Sequence, residues 1–223
     1  MMFKSFFSRS GKESDSKVIL DEINALFRDE KFDEIIIKAL PLVSDKNKDT
    51  SDEAKLRIAL SYFRKGNYKD SLVQFERIAL EKNDVVSWFN VITSAILSNE
   101  VQKGKEAFEK ALELQELSDY SQQPSVPFIR YYYACALNDI GLFSEALKQL
   151  DELKAIYMKL VITDDTFVYI RGVPFMSHSL DLARKVFKGL GIDFSHSDWL
   201  KELKEKIDDD GKEIIEKYYE NPI

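Results

Sequence analysis

The chain has 223 residues, 44% hydrophobic and 32% charged, with 8 Gly, 5 Pro and a net charge of −7. That mix suits one folded, helix-rich domain or a repeat array and excludes a disordered chain. The acidic balance, with Lys and Arg interleaved among Asp and Glu, excludes nucleic acid as an expected ligand. A single cysteine, Cys135, excludes an internal disulfide and fits a reducing compartment, so a cytoplasmic location is expected.

The opening MMFKSFFSRSGKESDSK does not read as a secretory signal, because Lys4 and Ser5 interrupt its apolar run. Residues 1–15 are expected to form a flexible tail. An alternative is that Phe3, Phe6 and Phe7 touch a membrane surface or a protein groove. No segment approaches the ~18 apolar residues of a membrane span, so no integral membrane association is expected.

Beyond the tail the apolar residues keep helical spacing almost throughout. They fall at Val18, Ile19, Ile23, Leu26 and Phe27, then at Leu56, Ile58, Ala59, Leu60, Tyr62 and Phe63. Similar runs lie at 88–97, 128–137, 147–160, 182–190 and 199–207. Gly66-Asn67, Ser98-Asn99 and Gly141 supply residues that tolerate a left-handed helix end. VITDDTFVYIRGVPF is the one ambiguous segment, being β-branched and interrupted by Gly172 and Pro174.

The runs recur. Phe75 has a counterpart 33 residues later at Phe108, Ile78 at Ala111, and the turn residue Gly66 at Asn99. The small residue four before the aromatic is Ser71 in one copy and Gly104 in the other. Ala134, Leu137, Gly141, Phe143, Ala146, Leu150 and Leu153 repeat the spacing again. Ile23, Leu26, Phe32, Ile35, Ala39 and Leu42 fit it loosely, with Ile35 at the small position and Pro41 expected to end or kink the second helix. Ala183, Phe187 and Leu190 match its second half.

This pattern resembles the tetratricopeptide repeat, a helix–turn–helix unit of about 34 residues. The resemblance implies an all-α fold: a right-handed superhelix of antiparallel helix pairs, in which small residues permit close crossing and aromatics plug the next unit. The expected organisation is a repeat domain over 16–194, about five units with 52–160 the most complete, followed by capping helices over 195–223. Two departures stand out. Phe108 to Leu150 is 42 residues, so 116–126 holds an insertion, either a binding-face loop or a longer helix plus a turn. The tail SHSDWLKELKEKI reads as a helix capped by Ser195 or Ser197, with a last helix over 211–220.

Catalytic and metal motifs are lacking: no HExxH, paired CxxC or Gly-rich phosphate loop is present, so no enzyme, cofactor or metal is expected. His178 and His196 stand apart from any Cys/His cluster. Cys135 sits in an apolar helix and reads as a structural thiol.

In the repeat family the first helices line a groove that holds a partner peptide or helix. By position the resemblance puts Arg57, Leu60 and Arg64, then Phe89, Asn90 and Thr93, then Tyr131, Tyr132 and Asn138 on that face. The implied function is a protein–protein interaction module. The alternative is a small acidic inhibitor or chaperone, such as a toxin immunity protein or a secretion chaperone. The weak first and last units leave room for a homodimer.

Overall fold

The computed structural model describes residues 7–220. Phe3 and Phe6, and the side chain of Phe7, lie outside the described residues, whereas the backbone of 7–15, expected in a flexible tail, belongs to a helix that begins at Phe7. Among the described residues every regular element is helical, and none is long and apolar enough to cross a membrane.

Four hairpins come first in the chain. α1 (Phe7–Arg28) pairs with α2 (Phe32–Ala39), α3 (Lys48–Arg64) with α4 (Tyr68–Lys82), α5 (Val85–Leu97) with α6 (Val101–Leu117), and α7 (Val126–Asp139) with α8 (Phe143–Tyr157). Each hairpin turn has a residue in the left-handed region: Glu30, Gly66, Asn99 and Gly141, with φ between 57° and 81°. Glycine and asparagine supply that conformation at little cost, and three of the four are legible for that reason. Pro41 does end α2: the chain tightens into a 3-10 turn, Leu40–Ser44. α3 restarts on Asn47, whose side chain accepts from the Asp49 and Thr50 amides.

The small and large residues of the 33-residue pattern sit where helices cross. Ser71 is fully buried, and its hydroxyl donates to the Ala59 carbonyl of the paired helix at 3.0 Å. At Gly104 a Cβ would collide with Cδ1 of Ile96, so α6 approaches α5 more closely than any side chain allows. Ala146 is fully buried at the same position of α8. Phe75, Phe108 and Leu150 are buried in one continuous apolar core that runs from Ala59 to Tyr218. A smaller core around Ile23, Ile35, Ala39 and Leu42 takes Ala54 and Ile58 from α3, which serves both clusters with different faces.

The fifth unit differs from its sequence pattern. α9 (Asp165–Ile170) is one short turn capped by Asp164, and it belongs to a long connector. α10 (Met176–Gly189) then runs antiparallel to α8. At one end Tyr157 of α8 donates to the Pro174 carbonyl at 2.6 Å and lies 2.9 Å from the Ser179 hydroxyl. At the other end Gly189 of α10 abuts the Phe143 ring of α8. α10 also touches α7, so it packs as a first helix does, although Ala183 and Phe187 match a second helix in sequence.

α11 (Asp198–Lys206) and α12 (Asp209–Glu220) complete the chain. Ser197 caps α11, its hydroxyl accepting from the Leu200 amide. Trp199 packs on Phe187 and Phe194 and donates through Nε1 to Asp151 on α8 at 2.7 Å. Lys154 of α8 lies over the Trp199 ring and reaches Glu202 at 2.7 Å. Lys154 and Lys206 together pull the Glu202 carboxyl down from 4.5 to about 2.

Two outcomes are expected. Phe75 is 1% exposed, so Phe75→Ala lowers stability by about 3–5 kcal/mol. In a denaturant titration, a loss under roughly 1 kcal/mol contradicts its place in the core. Because the Glu202 pKa is depressed, its stabilising effect is complete above pH 4.5 and is lost as pH falls toward 2. The Tm gap between the chain and Glu202→Gln is therefore open at neutral pH and closes on acidification; a gap independent of pH rules the clamp out.

Candidate functional site

The nine residues assigned to the first-helix face divide into groups. α5 and α7 lie side by side, and this brings Phe89, Tyr131 and Tyr132 together. Phe89 meets Tyr132 edge to face at 5.5 Å, and Tyr132 meets Tyr131 likewise at 5.3 Å. Tyr132 is 45% exposed, whereas Phe89 and Tyr131 are half-buried and rest on the core. The three rings thus make a row with an anchored base and an open edge, the geometry aromatic pairs favour.

Arg57 is already engaged. Its Nε pairs with Glu53 at 2.7 Å, and its guanidinium lies 5.2 Å from the centre of the Phe27 ring on α1. It joins α1 to α3 rather than pointing at a partner. Leu60 packs against the core, and Arg64, at the end of α3, is exposed with no ion-pair partner among the described residues. Asn90 and Thr93 are half-buried, and the Thr93 hydroxyl donates weakly to the Asn90 carbonyl of its own helix at 3.4 Å. Asn138 donates to Asp139 at 3.3 Å, near the far end of α7. No ring contact or hydrogen bond ties Arg57, Leu60, Arg64 or Asn138 to the aromatic row among the described residues.

Cys135 sits one turn beyond Tyr131, whose hydroxyl contacts the thiol. Burial pushes the thiol up to about 11 and raises the Tyr131 phenol as well. Both groups stay protonated at neutral pH, so neither is a nucleophile or base. His178 is exposed with its ring edge against Phe175, and His196 pairs with Asp193 at 2.9 Å on the surface. No group of acidic, His and Cys side chains among the described residues could hold a metal ion.

A cavity of about 320 Å³ opens between α9, α10 and α12, lined in part by Asp181, Arg184 and Tyr218. The Tyr218 hydroxyl lies 3.0 Å from both the Ser177 carbonyl and Asp181, and Asp181 pairs with Arg184 at 3.2 Å. Burial beside Asp181 keeps this phenol protonated. These three side chains are occupied with one another, which suits holding α12 to α10.

Sequence reasoning missed one organising side chain, Gln115. It is fully buried at the end of α6, and its amide nitrogen donates to the Gln122 and Pro124 carbonyls. The turn over 118–125 is thereby folded back on α6. An amide on the apolar face, in line with Phe108 and Ala111, is the signal that could have revealed it. The insertion is a longer second helix followed by this pinned turn.

No family model and no curated protein matches the chain. Solved structures do. TPR-like repeats assigned to a kinesin light chain of Podosopora anserina superpose with a TM-score of 0.63 at 15% identity, in a form carrying one point substitution. The form without that substitution gives 0.61 at the same identity, and each match spans 93% of this chain and 98% of the other. The protein has the fold of a TPR-like array of stacked helical hairpins.

Proposed function

We propose that the chain is a protein-interaction module that takes a segment of another protein against its first-helix face. The observation that carries this is the row Phe89, Tyr132 and Tyr131, rigid at its base and open at Tyr132. Aromatic side chains held in place by a core give large contact area with little entropy to lose, and such residues dominate binding energy at interfaces. The polar neighbours Asn90 and Thr93 can orient a bound backbone. Arg57 is assigned to holding α1 against α3, and Arg64 is an exposed cation at the edge of this face. The cytoplasm is the compartment that fits, given one half-buried reduced thiol.

An acidic inhibitor or chaperone for a basic partner is the second reading, favoured by the net charge of −7. The two separate on how binding responds to substitution. Partners recovered by affinity purification from the native host are titrated against the chain and against Phe89→Ala and Tyr132→Ala. The first-helix reading expects each variant to weaken binding by about tenfold or more, with little change on adding salt. Unchanged affinity in both variants, with steep loss at raised salt, rejects it in favour of the second.

A further inference from the structure

The pinned turn over 118–125 and the connector that carries α9 meet at one rim. First helices α1, α3, α5, α7 and α10 all run the same way, so each passage from a second helix to the next first helix falls on the same side of the array. These passages are tied laterally. The Val85 amide donates to the Gln122 side chain at 3.3 Å, the Ser125 hydroxyl to the Gly172 carbonyl, and Thr163 to Asp208 through both amide and hydroxyl. The turn over 118–125 and the connector over 158–175 are therefore held against each other at a fixed junction, Ser125–Gly172.

Beside that junction the connector leaves large apolar side chains in water: Val161 is 84% exposed, Tyr169 64% and Ile170 76%. Leu117 at the end of α6 and Tyr120 on the adjoining turn are also exposed. The opposite rim, where the hairpin turns lie, shows only Ile192 as an exposed large apolar residue among the described residues. Apolar exposure concentrated on one edge marks an interaction surface. Carboxylates surround it: Glu116, Asp119 and Asp165 have no ion-pair partner among the described residues. Neighbouring Asp208, Asp209 and Asp210 add further negative charge, Asp209 being met by Lys212 at 2.9 Å; Lys159, Arg171, Lys206 and Lys217 are the other nearby cations.

We propose that this rim docks a protein segment that presents an apolar face flanked by Lys or Arg. The apolar side chains supply the buried area, and the carboxylate excess selects a basic partner and rejects an anionic bilayer. The rim lies apart from the first-helix face, so the inference stands independently of the function proposed above.

The test uses the full chain and a fluorescein-labelled synthetic amphipathic helix of Leu and Lys, with a Leu–Glu helix as its counterpart, read by fluorescence anisotropy. The Leu–Lys helix is expected to bind, more weakly as salt rises. Tyr169→Ser with Ile170→Ser should weaken it about tenfold, and Tyr132→Ala should leave it unchanged. These side chains are exposed, so circular dichroism should show the parent fold. Glu116→Gln with Asp119→Asn gives a second reading, flattening the salt dependence with the apolar residues intact. Equal affinity in the Tyr169/Ile170 variant, or equal binding of the Leu–Glu helix, overturns the proposal. So does Ile170-dependent capture by phosphatidylserine vesicles, or Ile170-dependent self-association in sedimentation.

Discussion

A single helical hairpin exposes one apolar side that nothing within it can cover, and the molecule is organised by that constraint. Stacking hairpins covers the side only if helices come close enough to interlock. Here closeness is supplied at one position per unit: Ser71, Gly104 and Ala146, all buried. The aromatic or large aliphatic residue one turn later then enters the space the crossing creates, as Phe75, Phe108 and Leu150 do. The rest of the architecture follows from repeating this arrangement and from closing its end. At the C-terminal end, Trp199 and Glu202 of α11 grip Asp151 and Lys154 of α8, and Tyr218 anchors α12 on α10.

The same constraint separates engaged from open side chains on the first-helix face. A side chain there must either help a neighbouring first helix pack or remain available. Arg57 does the first, stacking on Phe27 with its charge met by Glu53. Tyr132 does the second, because α5 and α7 support one edge of its ring through Phe89 and leave the other in solvent. On the same surface Tyr131 and Cys135 both have their protons held by burial.

The repeating part of the fold was legible because spacing and turn chemistry agree. Gly66, Asn99 and Gly141 mark the turns, Ser71 and Gly104 the crossings, and Pro41 the end of α2. Where local pattern and tertiary packing part company, the sequence misleads. Ala183 and Phe187 carry second-helix spacing, yet α10 lies antiparallel on α8, because the connector containing α9 takes up the chain between them. Spacing reports which face of a helix is apolar, not which neighbour it covers. Contacts between distant residues left no local trace: Lys154 with Glu202, and Thr163 with Asp208. On the first-helix face Phe89, Tyr131 and Tyr132 lie against one another, whereas repeat position could not reveal that Arg57 is engaged by Phe27.

If stacking at the small-residue crossings holds the array together, stability is coupled mainly between neighbours. Native-state hydrogen exchange on Gly104→Val tests this most directly, since the added side chain must displace Ile96 at the α5–α6 crossing. The account predicts faster exchange in α5 and α6, smaller effects in α4 and α7, and unchanged protection in α11 and α12. Uniform acceleration along the whole chain, or none in α5, would contradict it.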